Sequence, residues 1–312
     1  VRLCFDRAKR LSVKFDELGL MANQAELIKA LENEEERHGV VLVVAPPGQG
    51  LSTTSYAMLG QHDAFTSIVK SCEKRIDLEV MGVDQKRWHP TEDEADYPTT
   101  IRTILRRDPD VVLVDSIEDH GTAELLANSG ADGPLIIATV RARSVTEAIQ
   151  EWSRAVGDLE KACANLKMIV ASRILRRLCP VCKQAYQPTP EQLKQMGLPA
   201  DSEIQLFRPT GKVNVKNKIE TCDTCNGVGY TGTIGAFEVF PVDNTTRKLL
   251  AANDMKGAAN HVRREYRLPT MQEVALSKVR NGETSIDEVL RVLVKKKPAP
   301  AQKKPATEKA SN

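Results

Sequence analysis

Residues 40–54 read VVLVVAPPGQGLSTT, and this stretch decides the fold. Its first part is rich in β-branched residues and predicts a buried strand. The proline and glycine residues that follow predict a turn, and a helical pattern begins at Ser52. A strand, a glycine-containing loop and a helix in this order are the context of a phosphate-binding loop, because N–H groups at a helix N-terminus bind phosphate oxygens.

The loop departs from the phosphate-loop template G-x-x-x-x-G-K-[ST]. Gly50 and Ser52 are in place, whereas Ala45 stands at the first glycine and Leu51 at the lysine. A hydrogen bond to a charged group contributes about 1.5–3 kcal/mol, so the missing lysine should weaken nucleotide binding roughly 10- to 100-fold. The alternative is an ordinary turn of a parallel α/β protein. The candidate nucleotide-binding residues are Pro47, Gly48, Gln49, Gly50, Leu51, Ser52 and Thr53.

The composition of the 312 residues argues against nucleic acid as a partner. The 44 basic and 42 acidic residues nearly balance, and aromatic residues make up only 4% of the chain, so neither a phosphate-binding surface nor a base-stacking platform is indicated. No apolar run reaches the roughly 18–20 residues of a membrane span. We therefore expect a soluble, cytoplasmic protein. Because Val1 falls within a strand-like pattern, we also expect further domains to precede it.

Strands alternate with helices after the loop, which predicts an α/β fold with a parallel sheet covered on both faces. We assign residues 15–172 to a nucleotide-binding core, and residues 1–14 to the end of a preceding domain or a linker. The acidic, polar residues 79–98 are typical of a solvated loop. The predicted strands are 67–72, 111–114, 135–139 and 167–172, and the predicted helices are 52–59, 99–107, 123–129 and 145–156.

Four of the seven cysteines form two C-x-x-C pairs, Cys179 with Cys182 and Cys222 with Cys225. This spacing is that of a structural zinc site with four thiolate ligands, which closes the coordination sphere and has no catalytic position. The alternative is a pair of redox motifs, but no thioredoxin-like pattern surrounds them. Unpaired cysteines beside a metal site also favour a reducing compartment.

The rest of the chain divides into three parts. We assign residues 173–235 to the zinc module, with a short helix and a hairpin inserted between residues 187 and 219. The basic residues Arg173, Arg176 and Arg177 either contact phosphate or a neighbouring subunit, or form a solvated helix end. Residues 236–294 have a helical pattern. The tail 295–312 is rich in Lys, Pro and Ala, which predicts disorder.

From residue 39 onward the chain resembles the ATPases of type II secretion and type IV pilus assembly, hexameric motors with a RecA-like P-loop core. The resemblance rests on five segments. They are HGVVLVVAPPGQGLSTT at 38–54, LRRDPDVVLV at 105–114, NLKMIVASRILRRLCPVC at 165–182, CDTCNGVGYTGTIGAFEV at 222–239 and TSIDEVLRV at 284–292.

The resemblance implies that most catalytic positions of the family are changed here. The Walker A lysine falls on Leu51, the Walker B glutamate on Ser116 and the histidine of a later motif on Arg141. The acidic motif falls on residues 73–77 and keeps only its two end carboxylates. Asp115 closes an apolar strand where many P-loop enzymes place an aspartate linked to Mg²⁺, and is therefore the candidate catalytic residue.

Two functions from different classes remain. The first is a pseudoenzyme: a structural or regulatory component of a type II secretion or type IV pilus system that binds ATP and Mg²⁺ weakly or not at all. The second is a slow ATPase in which Asp115 and Arg141 replace the lost groups. Either would join a homo- or hetero-hexamer of ATPase subunits and reach the inner membrane through platform proteins. A zinc-dependent nucleic-acid binder is a third, less favoured possibility.

Overall fold

The computed structural model describes residues 14–117, 119–129, 133–197, 199 and 204–294. The predicted tail and nearly all of the predicted N-terminal segment lie outside them. The strands are β1 (Gly39–Val44), β2 (Val69–Glu73), β3 (Asp84–Arg87), β4 (Val111–Val114), β5 (Leu135–Val140), β6 (Leu166–Leu178), β7 (Gln184–Tyr186), β8 (Leu206–Arg208), β9 (Lys212–Val215), β10 (Lys218–Thr221) and β11 (Tyr230–Pro241).

Helices cover the sheet and form the C-terminal part of the chain. Within the described residues, no helix combines the length and apolar character that crossing a membrane requires. The helices are α1 (Ala22–Lys29), α2 (Leu51–Leu59), α3 (Tyr97–Leu105), α4 (His120–Ala127), α5 (Val145–Val156), α6 (Leu159–Ala164), α7 (Pro190–Gln195), α8 (Asn244–Ala251), α9 (Met255–Tyr266), α10 (Met271–Arg280) and α11 (Ile286–Leu293), with 3-10 turns at Phe15–Glu17, Ala30–Glu32 and Glu34–Glu36.

The central sheet has seven strands in the order β11-β6-β1-β5-β4-β2-β3. All neighbouring strands run parallel except β11, which pairs antiparallel with β6. Every residue of β1, β4 and β5 is buried, as expected for parallel strands covered on both faces. The predicted α/β class with a parallel sheet is confirmed.

The strand β6 is much longer than the predicted strand at 167–172. Its first half pairs with β1, and residues 168–178 pair with β11. The assigned core boundary at residue 172 therefore falls inside one continuous strand. The interpretation of the three arginines as a helix end is wrong, because Arg173 and Arg176 belong to β6, and Arg173 is buried and donates to the carbonyl oxygens of Ser172 and Arg143.

The loop predicted over residues 79–98 is wrong for Asp84–Arg87, which forms the edge strand β3. All four residues of this strand are polar, so no apolar alternation marked it. Charged residues are typical of edge strands, because charge discourages pairing with another chain. The strand is held in part by Lys70, whose ammonium group lies 2.7 Å from the Asp84 carboxylate.

A second hydrophobic cluster lies where β6 and β11 extend beyond the other strands. It contains Leu175, Ile234 and Leu206 together with the inner faces of α10 and α11. Helices α8 and α9 pack on the main core instead, through Leu250 and Val262. The C-terminal helical region is therefore divided between two cores.

Glu288 joins the second cluster to β6. Its side chain is 0% exposed and accepts hydrogen bonds from the backbone N–H of Arg176 at 3.0 Å and from the guanidinium groups of Arg176 and Arg291 at 2.6–2.9 Å. Burial raises the pKa of Glu288, but the hydrogen bonds from Arg291 and Arg176 outweigh that effect and hold the pKa at about 2.

We expect Glu288→Gln to lower the free energy of unfolding by roughly 2 kcal/mol at neutral pH, because the charge-assisted hydrogen bonds are lost. A pKa lowered in the folded state stabilises the protein above the unfolded value of 4.5, and this stabilisation is lost as the pH falls toward about 2. Urea unfolding between these pH values should show a shallower loss of stability for the variant. Asp287→Asn, at an exposed neighbouring position, is the control, and an equal effect of both substitutions would contradict the assignment.

Candidate functional site

The loop between β1 and α2 contains two glycines in the left-handed region of backbone conformation. Gly48 and Gly50 have positive φ angles of 73° and 88°, which glycine adopts without strain. Gly50 is the residue directly before the first turn of α2, so the N–H groups of this turn face the loop. An added Cβ at Gly48 would meet no atom within 4 Å, so the space beside the loop is open.

Gln49 fastens the loop to β6. Its side-chain oxygen accepts the backbone N–H of Ile174 at 3.0 Å, and its backbone oxygen accepts the hydroxyl of Ser172 at 3.1 Å. Gly50 also lies against Ile174, since a Cβ there would come within 3.3 Å of that side chain. The conformation of the loop therefore depends on β6 as well as on β1 and α2.

Leu51 begins α2 and is partly buried against the main core. An ammonium group at this position of the template would reach the β- and γ-phosphates of a nucleotide. The leucine side chain supplies no charge and is occupied by packing. The loop retains its backbone donors without the cation.

The hydroxyl of Ser52, which the template assigns to Mg²⁺, donates to Asp77 Oδ2 at 2.9 Å. The other Asp77 oxygen accepts a hydrogen bond from Nε of Arg75 at 2.5 Å. The structure thus brings Ser52 together with the last carboxylate of the acidic motif. A metal ion at Ser52 would have to replace or share this contact.

Glu73, the first carboxylate of that motif, is buried at the end of β2. It accepts hydrogen bonds from Ser71 Oγ at 2.5 Å, from Gln85 Nε2 at 3.1 Å and from the hydroxyl of Tyr56 on α2. Burial raises the pKa of Glu73, and these hydrogen bonds lower it. Since three donors surround it, Glu73 ties α2 to the sheet.

Asp115 and Ser116 follow β4 and are held by Thr139 of β5. The Thr139 hydroxyl donates to Asp115 Oδ1 at 3.0 Å and accepts the backbone N–H of Ser116 at 2.7 Å. Ser116 is buried with a φ of 65°, a conformation uncommon for residues other than glycine. Burial raises the pKa of Asp115, whereas the Thr139 hydrogen bond and the positive charge of Arg141 lower it.

A cavity of about 510 Å³ opens beside the ends of β4 and β5. Ser116, Thr139 and Arg141 line one side, and Trp152 of α5 lines another. No residue of the P-loop lines this cavity in the described part of the chain. It is therefore separate from the space in front of the loop.

The cysteines of the two C-x-x-C pairs converge after β6 and before β11. All four are buried, and their sulfur atoms lie within 4.8 Å of one another. Cys179 Sγ is 3.9 Å from Cys222 Sγ, and Cys182 Sγ is 3.6 Å from Cys225 Sγ. Four sulfurs placed about 2.3 Å from a tetrahedral metal would be about 3.8 Å apart, so the spacing fits zinc.

Sequence reasoning missed Tyr56 and Thr139. Thr139 is the single polar residue of β5, which was its only signal in the sequence, whereas Tyr56 follows four hydroxyl-bearing residues of α2 and carries no distinguishing signal. Their partners are 17 and 24 residues away in the chain, so their roles appear only when the sheet is assembled.

Comparisons with known proteins identify secretion-system and pilus-assembly relatives over most of the chain. A family model described as type II/IV secretion system protein matches residues 1–291. The type II secretion system ATPase E of Vibrio cholerae is 30% identical over 94% of this chain and 55% of its own length. The type IV pilus assembly ATPase PilB of Thermus thermophilus is 28% identical over 81% of this chain and 27% of its own.

The fold is also found in solved structures. The ATPase DotB of Legionella pneumophila superposes with a TM-score of 0.59 and 14% identity, covering 88% of this chain and 63% of that one. This likeness concerns the fold alone. The chain spans about half the length, 55%, of the Vibrio relative.

We expect Gln49→Ala to loosen the loop, because the N–H of Ile174 then loses its acceptor. Hydrogen exchange at the Ile174 amide should become roughly tenfold faster. This factor corresponds to the net free energy that one hydrogen bond contributes. Gln49→Glu keeps a side-chain oxygen and should retain the protection. Exchange at Ile174 that is unchanged in Gln49→Ala would show that the loop is held by other contacts.

Proposed function

Because this chain belongs to the type II/IV secretion system protein family, we propose that it is a pseudoenzyme of a type II secretion or type IV pilus system. It keeps the nucleotide fold and does not hydrolyse ATP at a rate useful to a motor. The observation that carries the proposal is Leu51, an apolar, partly buried side chain where phosphate binding needs a cation.

The residues present fit a nucleotide only in part. The N–H groups of residues 48–53 would hold its phosphates, and Ser52 would contact Mg²⁺, which neutralises phosphate charge when bound. Glu73, Asp77 and Asp115 carry the three carboxylates at the motif positions. Among the described residues, their oxygen atoms do not lie close enough together to form a three-carboxylate metal site. We infer weak binding that depends on backbone donors.

Hydrolysis also needs a group that orients or activates the attacking water. Ser116 carries neither the charge nor the basicity of a carboxylate, and its backbone N–H is already engaged by Thr139. The absence of this group from the motif position supports the pseudoenzyme. The chain would then contribute structure within or beside a ring of ATPase subunits.

A slow ATPase is the second candidate, and Asp115 favours it. Its carboxylate follows the β4 strand, and the charges of Arg141, Asp77 and Lys74 all act on it. Asp115 would hold or orient the water, and Arg141 would replace part of the lost positive charge. The two functions differ in whether phosphate is released.

The partners follow from the names of the relatives, a type II secretion ATPase and a pilus assembly ATPase. We propose that the chain assembles with ATPase subunits, as a homo- or hetero-hexamer, and meets platform proteins at the cytoplasmic side of the inner membrane. Nucleic acid is not part of this proposal.

We further propose that the four cysteines bind one structural zinc ion. The sulfur spacing supports this assignment, and four thiolates leave no open position for catalysis. The site connects the end of β6 to the start of β11 and would stabilise the small module between them.

Calorimetric titration of ATP and Mg²⁺, paired with a phosphate-release assay, tests the nucleotide proposal. The unchanged chain should bind nucleotide only weakly, with a Kd of about 1 mM or above, and should release no phosphate. Leu51→Lys should tighten binding roughly 10- to 100-fold, because it restores the missing cation. Leu51→Met, which keeps an apolar side chain, is the matched control and should behave like the unchanged chain.

Micromolar binding with phosphate release by the unchanged chain would overturn the pseudoenzyme. If Asp115→Ala then abolished phosphate release while binding persisted, the slow ATPase would be the function and Asp115 its carboxylate.

For the zinc site, we expect Cys222→Ser to abolish stoichiometric zinc binding, because three thiolates do not close the coordination sphere. Residues of about 176–235 should become sensitive to protease. Metal analysis by mass spectrometry and limited proteolysis measure the two effects. Cys163→Ser, a buried cysteine outside the cluster, should keep one zinc per chain. Unchanged zinc content in Cys222→Ser would refute the assignment.

A further inference from the structure

The strands β9 and β10 form a small hairpin beside the cysteine cluster. They are joined by Lys216 and Asn217, whose φ angles of 49° and 63° suit a two-residue hairpin turn. Among the described strands, this pair joins no other sheet. Strand β10 therefore has a free edge of backbone hydrogen-bonding groups, whereas on β9 the N–H and C=O of Lys212 are already bonded to the Thr210 hydroxyl.

The two faces of the hairpin differ. Val213 packs against the cysteines, so its face points toward the metal site. Side chains alternate along a strand, and the register pairs Asn214 with Ile219 and Lys212 with Thr221 on the opposite face. Ile219 stands at the centre of that outer face and is 75% exposed.

Positive charge lies near Ile219, with Lys212 on the same face of the hairpin, Lys216 in the turn and Lys218 on the opposite face, that of Val213. Lys212, Lys216 and Lys218 belong to the hairpin and are all exposed, whereas Glu220 is its one carboxylate. Within the described chain none of these three lysines forms an ion pair at 4.0 Å or less. A large apolar side chain inside a basic surface is the complement of an acidic segment that also carries apolar residues.

A two-stranded hairpin with both faces largely in solvent is marginally stable, and a third strand or a packed face stabilises it. We propose that this hairpin is a docking surface for an acidic, extended segment of a partner protein, which adds along the free edge and packs an apolar side chain on Ile219. The hairpin contains no aromatic residue, which disfavours nucleic acid as the occupant. The proposal does not depend on nucleotide binding.

A fluorescein-labelled, end-blocked peptide of nine alternating glutamate and valine residues is the probe, and fluorescence anisotropy is the measurement. We expect saturable binding to the full chain at about 50 mM salt that weakens as salt rises. The double substitution Lys212→Glu and Lys216→Glu should weaken binding at least about tenfold through like-charge repulsion. Ile219→Ser should weaken it roughly five- to tenfold through lost apolar contact.

Lys256→Glu reverses an exposed charge on α9, away from the hairpin, and should bind the peptide as the unchanged chain does. Hydrogen exchange should become slower in residues 212–221 when the peptide binds. Zinc content equal to that of the unchanged chain verifies that each variant is folded. The proposal is overturned if binding does not saturate below about 1 mM, if the hairpin variants bind equally well, or if a single-stranded oligonucleotide binds the hairpin more tightly than the peptide.

Discussion

The strand β6 is the constraint on which the other parts depend, because it is hydrogen-bonded along both edges. On one side it continues the parallel sheet, and its Ser172 and Ile174 hold the P-loop through Gln49. Farther along it pairs with β11 and receives Glu288 from α11. It ends directly before Cys179. The strand β6 therefore holds three parts of the protein in place: the loop between β1 and α2, the C-terminal helix α11 and the cysteine cluster.

Hydrogen bonds made by side chains hold the loops at the edge of the sheet where β1, β2 and β4 end. Ser52 and Asp77 remain close enough to hydrogen-bond, and Thr139 still fixes the residues that end β4. These contacts stabilise the edge of the sheet where nucleotide would bind. They are made by hydroxyls and carboxylates and do not involve the side chains of Leu51 or Arg141.

The sequence was sufficient to predict an element where the segment itself carried a periodic pattern or a diagnostic residue spacing. Helix α5 was predicted with its observed bounds, and in the structure it begins after the N-cap Ser144. Residue spacing also predicted that the four cysteines would lie together, as they do. The edge strand β3 carries no apolar pattern, and the length of β6 is set by pairing with a strand more than 50 residues later, such as Leu178 with Tyr230. Tyr56 and Thr139 act on distant partners, so local sequence could not assign their roles.

The cysteine cluster also has a chemical consequence of its own. In a disulfide the two sulfurs are about 2.05 Å apart, and here Cys182 and Cys225 are already at 3.6 Å. Without a metal to hold the thiolates, a small movement under oxidising conditions would join them covalently and block later coordination. Cys72 and Cys163 are buried outside the cluster, and burial raises the pKa of their thiols to about 12 and about 11. Oxidative damage to the described cysteines would therefore concentrate in the cluster, at the joint between β6 and β11.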